Sequence, residues 1–114
     1  MIYHFVTEED LAQALTAQEY APQSLEKEGF IHCSRLDQVI AVANFLAPYD
    51  ETMNLFEIDE SKVNAEIKYE DAMNNGVLYP HIYGPLNRDA IVNKYHLDWD
   101  GEDGYQLPEP LRKI

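Results

Sequence analysis

Apolar and polar positions along the chain switch between two spacings. Ile2-Tyr3-His4-Phe5-Val6 is β-branched and aromatic, which predicts a buried first strand. Thr7 followed by Glu8, Glu9 and Asp10 marks a helix start, a hydroxyl cap with acids on the positive helix end. Leu11, Ala14 and Leu15 then fall on one helical face. Tyr20-Ala21-Pro22 ends this helix, and Ser24 to Glu28 supply one further turn closed by Gly29. Phe30-Ile31-His32-Cys33 reads as a second short strand. Ser34 is placed to cap the next helix, with Asp37 in capping-box position. Leu36, Val39, Ile40, Ala43 and Leu46 form the cleanest apolar stripe in the chain, and Pro48 lies beyond its end.

The second half is strand-rich. Asn54 to Asp59 reads as a strand, and Glu66-Ile67-Lys68-Tyr69-Glu70 alternates as a half-exposed strand should. Asn74-Asn75-Gly76 is a turn signal. Prolines bracket the short strand in Tyr79-Pro80-His81-Ile82-Tyr83-Gly84-Pro85, which predicts a sheet edge or bend. Ala90 to Leu97 forms a final long strand, and the acidic, Gly- and Pro-containing tail from Asp98 to Pro110 reads as a surface loop. Two βα units followed by several strands define an α+β class. No repeat, low-complexity segment or linker divides the chain, so a single domain over residues 1–114 is expected.

Charge narrows the choice of partners. With 8 Lys and Arg against 21 Asp and Glu, the net charge is −13. That excess predicts no general nucleic-acid binding and no anionic-membrane surface, because phosphate binding depends on Lys and Arg neutralisation. A small basic pocket remains compatible with it. Met1 to Val6 does not resemble a signal peptide, and no stretch approaches the roughly 20 apolar residues of a membrane span. The expectation is a cytoplasmic protein. The single cysteine, Cys33, excludes an internal disulfide framework.

Histidine carries the candidate chemistry. His4, His32 and His81 sit in or beside short apolar strands, and His96 lies in the last strand. Burial there favours the neutral imidazole, which has one donor and one acceptor and can orient a ribose hydroxyl or an amide. Singly, each reads as a core or edge histidine; together, as members of one pocket. Metal-ligand spacing is absent: there is no His-x-x-x-His or Cys-x-x-Cys, so no metal is expected. Cys33 reads as a packed thiol more readily than as a nucleophile. Ser34 and Arg35 open the predicted helix and could form an anion site, although a cap followed by a solvated arginine is the reading the residues favour. Tyr3, Tyr79 and Tyr83 offer aromatic walls for a flat ring, as core aromatics also would.

These residues resemble a known family. Ile2-Tyr3-His4, Ser24-Leu25, Glu28-Gly29-Phe30-Ile31-His32-Cys33-Ser34, Gln38-Val39 with Val42-Ala43-Asn44, and Pro80-His81-Ile82-Tyr83-Gly84-Pro85-Leu86 look like the bacterial domain-of-unknown-function family 952. The resemblance runs from about Ile2 to Pro108. It implies a fold like that of the ADP-ribosyltransferases, a split, twisted, mainly antiparallel sheet pinching a cleft that holds NAD. Within that superfamily the RNA 2′-phosphotransferases are most similar: their Tyr-His matches Tyr3-His4 and their His-x-Ser matches His32-Cys33-Ser34. By that carry-over His4 and His32 are the catalytic candidates, with Tyr3, Ser34, Arg35, His81 and Tyr83 binding the ligand. Two departures accompany the likeness: the chain starts directly at the Tyr-His strand, without a basic N-terminal lobe, and it lacks the later-strand glutamate of many ADP-ribosyltransferases. The leading expectation is binding of NAD or a related small-molecule nucleotide, with possible transfer of ADP-ribose to a protein acceptor that the sequence does not name. The alternative is a non-catalytic module that binds a small ligand or a protein in the same cleft.

Overall fold

A computed structural model describes residues 1–16, 18–46, 54–71, 74–99 and 105–112. In chain order its elements are β1 (Ile2–Val6), α1 (Glu8–Thr16), β2 (Glu19–Tyr20), α2 (Gln23–Glu28), β3 (Ile31–His32), a 3₁₀ turn (Leu36–Gln38) leading into α3 (Val39–Leu46), β4 (Asn54–Ile58), β5 (Glu66–Glu70), β6 (Tyr79–Tyr83), β7 (Leu86–Asn87), β8 (Ile91–His96), β9 (Asp98–Trp99), β10 (Tyr105–Gln106) and α4 (Glu109–Arg112). Two three-stranded antiparallel sheets dominate, one ordered β1-β4-β8 and the other β3-β6-β5. They meet at a single bridge, where the Tyr3 N–H donates to the Ser34 carbonyl (2.8 Å) and the Ser34 N–H donates to the Tyr3 carbonyl (2.7 Å). The result is a mixed helix-and-strand globule with mainly antiparallel sheets.

Side chains alternate across β1, so its two faces serve two cores. Ile2 and Val6 enter the core between the sheets, with Leu11 and Ala14 of α1, Tyr20, Ile31, Cys33, Phe56, Ile58 and Ile82. Tyr3 and Phe5 face the other way, toward Val39 and Ala43 of α3, Leu55, Leu97 and Leu111. Each fully buried aliphatic side chain contributes roughly 1.5–3 kcal/mol from removal of apolar surface from water. The first sheet is thus covered on both faces, which explains why every residue of β4 is buried. The predicted start of α1 holds: the Asp10 N–H reaches the Thr7 hydroxyl at 3.1 Å. The side chains of Leu15 and Leu46, and residue Pro48, lie outside the described residues.

Three expectations are corrected. Ser34 does not cap the following helix, because its backbone is committed to the bridge with Tyr3. The turn starts one residue later, at Arg35, whose N–H is taken by the Gln38 side chain at 2.9 Å. Asp37 instead pairs with the Arg35 guanidinium at 3.4 Å. Second, the strand bracketed by prolines is the centre of its sheet and not an edge. Pro80 is tolerated there because it lies opposite Cys33, just past the end of the short β3. It still accepts the Cys33 N–H (3.0 Å), and its missing N–H removes only the last rung. Third, the tail is not merely a loop. β9 and β10 pair antiparallel, and Tyr105, Leu107 and Leu111 close the second core.

Leu111, at 2% exposure, gives that closure a test. Replacing it with alanine leaves a void under α4 and is expected to lower unfolding free energy by about 2 kcal/mol, as for a buried leucine truncation. Urea denaturation reads this directly. A loss below about 0.5 kcal/mol, the scale of a surface substitution, would mean the tail is dispensable.

Candidate functional site

The sheet β3-β6-β5 turns one face into the core and the other outward. Ile31, Cys33 and Ile82 point inward; their neighbours Phe30, His32, His81 and Tyr83 make the opposite face, by strand alternation. His32 and His81 stand directly opposite each other in register, and their rings meet edge-on with centroids 5.4 Å apart. Phe30 stacks on His81 at 4.2 Å with planes 21° apart and also touches His32 and Tyr83. Lys68, across from His81 on β5, holds its ammonium 4.7 Å above the Tyr83 ring.

Each histidine of this face is backed by a carboxylate. Glu28 ends α2, and Gly29 follows it in the left-handed region (φ 86°), which ends the helix and starts the chain toward β3. The Glu28 carboxylate therefore comes back beside His32 and accepts its Nε2–H. On the other side, Glu70 Oε1 accepts both the Nδ1–H of His81 (3.1 Å) and the Tyr83 hydroxyl. The Tyr83 bond, then the His81 bond, holds the Glu70 carboxyl below its ordinary range, and the same contact with Glu70 raises the Tyr83 phenol. His81 is 2% exposed while His32 is open to solvent, so one imidazole is enclosed and the other lies at the surface, held by Glu28.

His4 lies elsewhere. Its side chain points into the core between the sheets, where Nδ1–H donates to the His32 carbonyl (2.6 Å) and Nε2 accepts the Tyr20 hydroxyl (2.7 Å). Burial lowers its pKa to about 4, against the opposing pull of the His32 carbonyl. Both nitrogens are used, so none is left for a ligand. The expected common pocket therefore divides: His32 and His81 converge, and His4 touches only the backbone beneath them. Tyr3 faces the second core and donates to Glu57 at 2.8 Å; burial, then that bond, pushes its phenol far up. Asn93 donates to the other oxygen of Glu57, also at 2.8 Å. Ser34 is buried at the bridge and Arg35 pairs with Asp37, and neither is among the described contacts of the histidine face. His96 sits beside Asn54 (3.3 Å).

Phe30, Glu28, Lys68 and Glu70 also belong to this face and are not among the site residues expected from the sequence. Glu28 was recoverable, because a carboxylate four residues before a histidine across a helix end is a local signal. Glu70 was not, since its contact with His81 depends on which strands pair. Among the described residues, no three His, Cys, Asp or Glu side chains are grouped to hold a metal ion. An open groove between α1 and α2 is lined by Glu9, Asp10, Gln13, Leu25 and Glu26 and contains none of the histidines. No described helix is long and apolar enough to cross a membrane.

Fold and site together describe a small α+β protein with an aromatic, histidine–carboxylate surface on one sheet. The family described as "Protein of unknown function (DUF952)" matches residues 5–94, and the chain belongs to that family. Its fold is similar to that of CC0527 from Caulobacter crescentus. Crystal structures of that protein and of a double methionine variant are each 23% identical over 97% of both chains, with a TM-score of 0.76. A solution structure of CC0527 is 22% identical over 99% of this chain and 95% of that one, with a TM-score of 0.70. At this identity the likeness is one of fold. No curated protein matches the chain.

Two measurements check the site. His4 is neutral when folded and protonates near pH 6.5 when unfolded, so between pH 6.5 and about pH 4 the unfolded state binds the extra proton. Its contribution is present above pH 6.5 and lost as pH falls through the folded value. The expected loss is on the order of 3 kcal/mol between pH 7 and pH 4. Urea denaturation across that range should show the slope in the parent and a flatter one in His4→Gln; parallel slopes would contradict the buried neutral ring. Cys33 is buried and its thiol pushed far up by desolvation. A thiol reagent should leave the folded protein unlabelled and modify Cys33 only in denaturant; rapid labelling of the native state would reverse that assignment.

Proposed function

We propose that this protein binds a nucleotide of the NAD type on the face formed by Phe30, His32, His81 and Tyr83. One observation carries the reading: two histidines, each held by its own carboxylate, meet under an aromatic ring on an otherwise acidic protein. Imidazole nitrogens orient ribose hydroxyls or an amide, the aromatic rings offer faces to a flat base, and Lys68 is the cation on this face nearest to receive a phosphate. The sequence resemblance to the ADP-ribosyltransferases supplies NAD as the ligand class, and a pair of antiparallel sheets splitting from one bridge is compatible with that kinship. Transfer of ADP-ribose is the extension of this reading. A carboxylate beside the ribose would stabilise the oxocarbenium-like state, and Glu70 is the framed carboxylate available here.

The second reading, a binding module without catalysis, is favoured by the state of His4. The residue first expected to grip the ribose has both nitrogens engaged inside the protein. It supports the floor of the site and does not touch the ligand.

A melting titration with NAD, ADP-ribose and nicotinamide tests the proposal. A ligand at 100 times its dissociation constant stabilises by about 2.7 kcal/mol, which is a readable shift. The parent is expected to shift with NAD or ADP-ribose, whereas His32→Ala and His81→Ala keep a cooperative transition and lose most of the shift. No shift of the parent with any of the three at millimolar concentration overturns the nucleotide reading. Release of nicotinamide from NAD above the buffer rate would separate the transferase from the module.

A further inference from the structure

The surroundings of His81 account for every part of its ring except one atom. Phe30 lies nearly flat against one face at 4.2 Å, and His32 meets the ring edge-on. Nδ1–H is given to Glu70 at 3.1 Å. Among the described residues no buried side-chain nitrogen or oxygen lacks a hydrogen-bond partner. Among the described residues none is bonded to Nε2 of His81, and it follows that this atom reaches the 2% of the residue left open to solvent. A neutral imidazole that donates through one nitrogen must accept through the other. Glu70 therefore sets the chemical character of Nε2, and Tyr83, donating to the same carboxylate oxygen, holds Glu70 in place.

We propose that His81 Nε2 is the accepting, basic nitrogen of this site, that Glu70 is the residue that positions it, and that the ligand group it takes is a sugar hydroxyl. The ligand class rests on the nucleotide reading; the state of the ring does not. A lone pair on a ring already held by the Glu70 carboxylate opposes an anion at that atom and accepts a donor, which leaves Lys68 on β5 to meet a phosphate. Of the donors a nucleotide presents, the sugar hydroxyls are the ones that can both donate to this lone pair and give up a proton to it, which amide and amino N–H groups do far less readily. Acting as a base, Nε2 would take the hydroxyl proton. The O–H bond breaks with its electron pair left on oxygen, an N–H bond forms on Nε2, and Glu70 faces the resulting imidazolium charge. The logic is that of a histidine whose far nitrogen is held by a carboxylate, here with Glu70 in the positioning role.

Three readouts on the whole protein test this. Nitrogen-15 spectroscopy of the imidazoles near neutral pH should show His81 protonated on Nδ1 in the parent and a mixture of tautomers in Glu70→Ala, with Glu70→Gln restoring most of the parent pattern. Diethyl pyrocarbonate, mapped by mass spectrometry, should acylate His81 in the parent. There Nε2 attacks the carbonyl carbon, the N–C bond forms, and ethyl carbonate leaves as carbon dioxide and ethanol. Glu70→Ala should slow that reaction roughly tenfold, the scale on which a positioning partner matters, with Glu70→Gln recovering part of it. A parent protonated on Nε2, or acylation indifferent to Glu70, overturns the assignment. NAD analogues lacking the 2′- or 3′-hydroxyl on either ribose test the ligand group. One should bind at least about tenfold more weakly than NAD to the parent, a difference of about 1.4 kcal/mol, and no more weakly than NAD to His81→Phe. If all analogues match NAD, the sugar-hydroxyl assignment is wrong. If NAD itself does not bind, the nucleotide reading fails while the first two readouts still decide the state of His81.

Discussion

Two backbone hydrogen bonds between Tyr3 and Ser34 join the sheets, and the remaining geometry follows from where they lie. The bridge comes two residues after β3, so it spaces β3 from β1 without merging them into one continuous sheet. His4, next to Tyr3 on β1, then falls below the strand that carries His32. Its Nδ1–H takes the His32 carbonyl, a group that a two-residue strand would otherwise leave exposed to the core. His4 is therefore part of the seam. Were the bridge absent, neither the floor of the histidine face nor the backbone under His32 would have a defined height.

Electrostatics act at the site against the character of the whole molecule. A chain with net charge −13 opposes anionic ligands at long range. The histidine face answers with short-range features: each imidazole is paired with a carboxylate, and Lys68 sits over Tyr83. The carboxylates are thus engaged as orienting acceptors, and each decides which nitrogen of its ring carries the proton. The Glu57 carboxylate plays the same part in the opposite core, where it holds Tyr3 and Asn93.

Much of the fold was legible along the chain because its signals are local. Strand β1, the capped start of α1, the glycine stop of α2, the apolar face of α3 and the alternation of β5 each depend on neighbours within a few residues. The errors arose where a distant partner intervened. Ser34 has the chemistry of a helix cap, but Tyr3 takes its backbone. Pro80 looks like an edge residue, yet β3 is so short that the missing N–H removes only one rung. The acidic tail looks like a loop, and Leu111 buries it against a core formed 70 residues upstream around Val39 and Ala43.

For the site, the sequence alone determined which groups are available: histidines in apolar strands, aromatics beside them and one cysteine in a strand. It also determined the parity of each strand, since side chains on a pleated backbone alternate whatever the fold. Which histidines meet was decided by tertiary structure. His32 and His81 converge because β3 pairs with β6 in a register that puts them opposite. Glu70 reaches His81 and Tyr83 because β5 pairs on the far side of β6. His4 is withdrawn because β1 belongs to the other sheet and turns that parity toward the core. A periodicity states which residues share a face; only the pairing of strands states which faces share a site.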